Sequence, residues 1–260
     1  MRCSVERLRV PTVSGDCQSM TGEPLLLLPG MMCDERLWEP QVRALGRSRT
    51  ILQGGITQDD TIEAIASRVL REAPDRFALA GLSMGGIVAM HIVGTAPERV
   101  TRLALLDTNH LPDAPERRPI RERQIAAARA GRLREVVVDE MKPQYLADGH
   151  KRDRELLDRL VDMAVDLGPD VFVRQSVALM NRPNAEARIR AWATAKRPTL
   201  VLCGEEDRLC SPERHREIAR LVEHANLTVL SGTGHISTLE SPIRVSIALG
   251  QWLDALPADD

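Results

Sequence analysis

The sequence predicts an α/β protein: a doubly wound, mostly parallel sheet with a helical segment inserted near its middle. Three observations carry that prediction. Short apolar runs, Leu25-Leu26-Leu27-Leu28, Leu103-Ala104-Leu105-Leu106 and Leu200-Val201-Leu202-Cys203, read as strands buried on both faces. Strand and helix patterns alternate four times before residue 110 and resume after residue 197, the rhythm of parallel strands joined by helical crossovers. Between them, residues 111–196 hold helical patterns and no convincing strand. The chain therefore divides into a core made of 1–110 and 197–260, and an inserted segment, 111–196.

In chain order, residues 1–22 are left unassigned. Val5, Arg7 and Arg9 alternate with Leu8 and Val10, open to reading as an edge strand or as a disordered segment. The first strand, bounded by Pro24 and Pro29-Gly30, precedes a helix over 34–45 with Asp34 as its cap and Leu37, Trp38, Val42 and Leu45 on one face. A short strand over 50–53 leads to a second helix, capped by Asp59 or Asp60, with Ile62, Ile65, Ala66 and Val69 on one face. A third strand–helix pair spans 77–97, and a strand over 101–107 closes the first half. In the inserted segment the helical patterns cover 120–130, 133–141, 154–167, 170–180 and 185–195. Strand 199–204, helix 212–222, strand 227–230 and helix 242–256 complete the chain. A helical insertion after a strand's carboxyl end sits over the ligand-binding edge of such a sheet. It reads as a cap closing a pocket, the alternative being a helical wing that only packs on the sheet.

Composition bounds the function. Of 260 residues, 43% are apolar and 28% charged, as in ordinary globular proteins. A net charge of −2, with both signs interspersed, implies neither nucleic acid nor an anionic membrane surface as a partner. Apolar runs are too short to span a bilayer, and the first twenty residues show no secretory pattern. Five scattered cysteines without metal-ligand spacing suit reduced thiols in a cytoplasm. Six aromatic residues in all mean that any pocket is lined mostly by aliphatic side chains and methionine, Met31, Met32 and Met84 among them. Composition leaves a homo-oligomer open.

The chemistry centres on Gly81-Leu82-Ser83-Met84-Gly85, a G-x-S-x-G turn between an apolar strand and an apolar helix. A serine on so sharp a turn needs neighbours without side chains, and the first helical amides beyond it favour negative charge. The bland reading is a glycine-rich turn whose serine caps the helix. A nucleophilic serine needs a base and an orienting acid. Of six histidines, His235 is the best base, in the small-residue loop Ser231-Gly232-Thr233-Gly234-His235 after the last strand. Two aspartates follow strands, Asp107 and Asp207. Either satisfies the order serine, acid, histidine, and Asp207 is preferred for its turn from Gly204 to the Cys210-Ser211-Pro212 restart. Glu205 and Glu206 are fallbacks. Oxyanion donors are expected from the amides of Met84 and Met31, since Pro29 has no N–H. Met32, His110, Tyr145, Phe172 and Trp192 are candidate pocket residues. Cys33 and Cys210 follow two strands, and a catalytic thiol there is the weaker reading.

With these landmarks, together with Glu240-Ser241-Pro242 after the histidine, the chain resembles serine hydrolases of the α/β-hydrolase fold over nearly all of its length after residue 22. Within that superfamily it is similar to the small single-cap esterase and enol-lactonase branch, which includes carboxylesterases, 3-oxoadipate enol-lactonases, carbon–carbon bond hydrolases and cofactor-free haloperoxidases. Serine at position 83 separates it from haloalkane dehalogenases and epoxide hydrolases, which place aspartate there. At Pro29 it departs from the many relatives with histidine before the glycine. The resemblance implies hydrolysis of a small-molecule carboxylic ester through an acyl-enzyme, with no metal or organic cofactor called for. A lactone, a carbon–carbon bond, or slow-turnover ligand reception on the same fold are the alternatives.

Overall fold

A computed structural model describes residues 22–256. The alternating stretch near Val5 lies outside the described residues. Six strands form one sheet: β1 (Leu25–Leu28), β2 (Ile51–Gln53), β3 (Phe77–Leu82), β4 (Val100–Leu106), β5 (Thr199–Gly204) and β6 (Asn226–Leu230). Their order is β2-β1-β3-β4-β5-β6, and every neighbouring pair is parallel. All carboxyl ends therefore open on one edge, where Leu28 pairs with Gly81 and Leu82 with Leu106.

Continuous apolar strands are explained by helices on both faces. On one face Leu26, Leu28, Leu79, Leu103, Leu105 and Val201 pack against the helices Ile62–Glu72, Met84–Thr95, Glu186–Ala193 and Pro212–Leu221. On the other, Leu25, Leu27, Ala78, Ala80, Leu106 and Leu202 pack against Glu39–Leu45 and Pro242–Asp254. Asp34 caps a 3₁₀ turn, Glu35–Trp38, before the first α-helix begins. The second helix is capped by neither Asp59 nor Asp60. Thr61 has the extended backbone of a cap and its hydroxyl accepts from the Ala64 amide, while Asp59 is held by Arg68 at 2.6 Å.

Among the described residues no strand lies between β4 and β5. That span holds the helices Arg118–Ala127, Arg154–Met180 and Glu186–Ala193, with wider helical turns over Ala128–Arg132 and Val136–Met141. Gly168, at φ 80°, breaks the long helix in two, between the segments expected over 154–167 and 170–180. Ile125, Leu133, Val137, Val161, Val171 and Phe172 give this segment an apolar cluster of its own, joined to the sheet edge through Met32. No helix of the described residues is long and apolar enough to cross a membrane.

Candidate active site

β3 ends at Leu82, and the chain turns at Ser83 into the helix Met84–Thr95. Ser83 has φ 53° and ψ −114°, a conformation that costs a side-chain-bearing residue about 1–3 kcal/mol. Its glycine neighbours are needed for room. A Cβ at Gly81 would lie 2.3 Å from the Gly85 carbonyl oxygen, and one at Gly85 would lie 2.3 Å from that of Leu28. The turn is fixed by the Ser83 amide donating to Leu106 O and by the Thr108 hydroxyl donating to Ser83 O. The serine side chain makes no capping bond to the helix, which removes the bland reading.

Instead Ser83 Oγ lies 2.9 Å from His235 Nε2, and His235 Nδ1 lies 2.8 Å from Asp207 Oδ2. With Nδ1 donating to the carboxylate, Nε2 is left to accept the serine proton. Asp207 Oδ1 accepts the amides of Leu209 and Cys210, so the loop after β5 holds the acid in place. Burial pushes Asp207 upward, but the His235 charge and hydrogen bond and the Cys210 amide outweigh it, and its pKa lies below the usual carboxylate value. Burial likewise pushes the His235 imidazole down, and Asp207 more than reverses that, raising it above the ordinary histidine value.

The other aspartate goes elsewhere. Asp107 follows β4 directly, is fully buried, and accepts the Gly204 amide on Oδ1 and the Ser237 amide on Oδ2. Burial, then the neighbouring Asp207 charge, raises its pKa well above the usual range. It ties β4 to the end of β5 and to the loop carrying His235.

Two supports had no role assigned from the sequence, although Glu240 stood among its landmarks. Glu240 Oε1 accepts the amides of Gly234 and Ile236, on either side of His235, and its Oε2 accepts the Ala147 amide and contacts His150 Nδ1 at 3.0 Å. The inserted segment is thereby stitched to the histidine loop, as it also is by the His235 amide donating to Tyr145 O and the Asp148 amide to Glu206. His215, completely buried, accepts the Thr108 amide on Nε2 with Nδ1 against Ser211 O. Burial lowers its pKa to about 4, so it is neutral at pH 7. The signal for Glu240 was its position five residues after the histidine. His215, in a charged helix, gave none.

Ser83 and His235 line a cavity of about 750 Å³, shared with Gly30, Met31, Tyr145 and Phe172. The Tyr145 and His235 rings are 5.8 Å apart. Met84 heads the helix Met84–Thr95 with its amide in the first turn, and a Cβ on Gly30 would lie 3.5 Å from that of Ser83. Three candidate pocket residues do not line the cavity. Met32 is buried in the apolar cluster of the inserted segment, its amide bonded to Gln175 Oε1. His110 is buried by the turn at Ala185, whose amide donates to its carbonyl. Trp192 packs in the core beneath the sheet, because its indole N–H finds the Thr199 hydroxyl at 2.9 Å. Cys33 and Cys210 do share the cavity wall, but burial raises both thiols, Cys33 to about 12. Asp207, Cys210 and His235 come close enough to be a metal-ligand set, although Asp207 and His235 are already bonded to each other.

A parallel sheet with such a serine turn is one route to a family; the sequence profile of the alpha/beta hydrolase family matches residues 25–248. The chain belongs to that family. It is 24% identical, over 91% of its length and 92% of the relative, to the (E)-2-((N-methylformamido)methylene)succinate hydrolase of Acinetobacter baylyi. It is 26% identical, over 91% of its length and 97% of the relative, to a pimeloyl-[acyl-carrier protein] methyl ester esterase of Xanthomonas campestris pv. campestris. Among solved structures it is similar to a thermophilic esterase from Thermogutta terrifontis, with a TM-score of 0.81 and 28% identity over 90% of each chain.

Proposed function

We propose that this member of the alpha/beta hydrolase family cleaves a carboxylic ester of a small molecule, with Ser83, His235 and Asp207 as its catalytic triad. The observation that carries the reading is the unbroken hydrogen-bond chain from Ser83 Oγ through the imidazole to Asp207, at the wall of a cavity sized for a small molecule. Ser83 Oγ attacks the ester carbonyl while its proton passes to His235 Nε2. The amides of Met31 and Met84 stabilise the oxyanion, and Asp207 stabilises the imidazolium. Collapse expels the alcohol, which takes the proton from His235. Water then repeats the sequence and frees the acid and Ser83.

Residues 111–196 act as a cap on the core formed by 1–110 and 197–260. Tyr145 and Phe172 on the cavity wall, and the contacts of Ala147 and Asp148 with Glu240 and Glu206, support that role. We assign the reaction to the cytoplasm, in keeping with Cys33, Cys203 and Cys210 as free buried thiols. The esterases among its relatives favour an ester over a lactone or a carbon–carbon bond.

The test is labelling with an active-site-directed fluorophosphonate, followed by peptide mapping and a panel of simple esters. A single adduct on Ser83 with ester turnover is expected, and Ser83→Ala should lose activity by about 10⁶-fold. Labelling without ester turnover would move the reading to a lactone, a carbon–carbon bond or a receptor. Near-native turnover in Ser83→Ala would overturn it.

A further inference from the structure

Elsewhere on the wall of the cavity that holds Ser83 stand three arginines around one carboxylate. Arg121 Nε lies 2.6 Å from Asp113 Oδ2, Arg182 Nη1 lies 2.9 Å from Oδ1, and Arg117 Nε approaches Oδ1 only to 3.9 Å. The side chains of Asp113, Arg121 and Arg182 are each under a tenth exposed, whereas Arg117 is 46% exposed. All four residues line the cavity. One carboxylate among three guanidiniums leaves an excess of positive charge in a place where water cannot fully screen it.

Other charged residues on the wall do not supply the missing anion. Glu140 is taken by Arg123 at 2.8 Å, and Arg214 has its own partner in Glu217 at 2.7 Å. Asp139 is solvent-exposed. Arg182 is further tied to the carbonyls of Leu111 and Leu179, so its place is structural. Arg121 Nη1 and both terminal nitrogens of Arg117 make no hydrogen bond within the described residues, and these are the donors open to a ligand. A guanidinium presents paired N–H groups in the plane and spacing of a carboxylate, and such bonds are about twice as strong as neutral ones.

The arginines line the same cavity as Ser83 and His235. Tyr145, whose ring contacts that of His235, feels the charges of Arg121 and Arg117. Cys210, whose amide holds Asp207, feels those of Arg182 and Arg117. We propose that Arg117 and Arg121, braced by Asp113 and Arg182, form a carboxylate subsite, and that the substrate is an ester that also carries a free carboxylate, such as a half-ester of a dicarboxylic acid. This rests on the hydrolase reading above. Water is consumed, the ester C–O bond breaks at Ser83, and the products are a dicarboxylate, an alcohol and a proton.

The experiment compares kcat/KM for the monomethyl esters of succinate through pimelate with neutral methyl esters of matching chain length. The best half-ester should exceed its neutral counterpart by about tenfold or more, the effect of one hydrogen bond to a charged group. Arg117→Met, at a half-exposed position that approaches Asp113 only to 3.9 Å, should bring that ratio down by a similar factor, with Arg117→Lys between the two. Arg121→Met should lower it too, though this variant leaves Asp113 short of a partner and its folding is checked by circular dichroism. Adipate binding by calorimetry, weakened in Arg117→Met, reads the subsite without turnover. A ratio near one at every length, or a ratio that Arg117→Met leaves unchanged, would overturn the subsite. Fluorophosphonate labelling of Ser83 without adipate binding defeats the subsite alone, whereas adipate binding without labelling or turnover defeats the hydrolase reading and keeps the subsite.

Discussion

Strands β4 and β5 end side by side, and an aspartate follows each, yet the two carboxylates do opposite work. Asp107 comes directly after Leu106 with φ 45°, and its side chain turns back into the sheet edge to accept two backbone amides. Asp207 comes three residues after Gly204, on a loop that carries it out to His235. One carboxylate locks strand ends together and the other holds the His235 imidazole. The difference teaches that distance along the loop, more than residue type, decides what an acid at a sheet edge can reach.

The largest effect that sharpens this contrast is Asp207→Asn. It should cut kcat/KM by about 10⁴-fold, because the amide no longer selects the tautomer with Nε2 free to accept. It should also move the acid limb of the pH profile. In the proposed mechanism activity needs neutral His235, so the limb of the native protein should lie above the ordinary histidine value of about 6.5, the direction in which Asp207 shifts it. Without that carboxylate the limb should shift to lower pH. An unshifted limb would mean that Asp207 does not set the state of His235.

A second effect comes from His215, which backs Thr108 beside Asp107. Its folded pKa of about 4 lies below the unfolded value near 6.5, so the unfolded chain takes up the proton first as pH falls. The stability is fully present above pH 6.5 and is lost progressively down to pH 4, by about 3 kcal/mol. Urea unfolding of His215→Gln should show a correspondingly flatter pH dependence over that window. Equal slopes in both proteins would remove His215 from the account.

The smallest effect is expected of Asp107→Asn. The asparagine keeps one acceptor but turns an NH₂ toward either the Gly204 or the Ser237 amide. Stability should fall by about 1–3 kcal/mol in urea unfolding, and kcat by no more than about tenfold. A loss matching that of Asp207→Asn would erase the distinction between the two carboxylates.

The sheet was legible because four of its strands, doubly buried, had to be almost wholly apolar, and the serine turn because its steric needs left glycines at fixed offsets. His235 was legible for a similar reason, a small-residue loop following a strand. Asp207 was preferred over Asp107 only for the form of its loop, since both follow strands, and only the folded loops show which one meets the imidazole. The pocket was read least well. Trp192 was chosen for its size, yet a large side chain whose N–H finds Thr199 belongs in the core. Arg117 ends the 3₁₀ turn Pro115–Arg117 and Arg121 lies in the helix Arg118–Ala127, both among other charged residues, and nothing local marks which guanidiniums face a cavity. Thr61, in place of Asp59 or Asp60, became the helix cap because Arg68 had already claimed Asp59.

The most direct measurement is to quench the enzyme in acid during turnover of a slowly deacylated ester and map the modified peptide by mass spectrometry. One acyl group on Ser83 is expected, accumulating in wild type and absent in His235→Gln. Acyl transfer to Cys33 or Cys210, or steady turnover with Ser83 never modified, would contradict it.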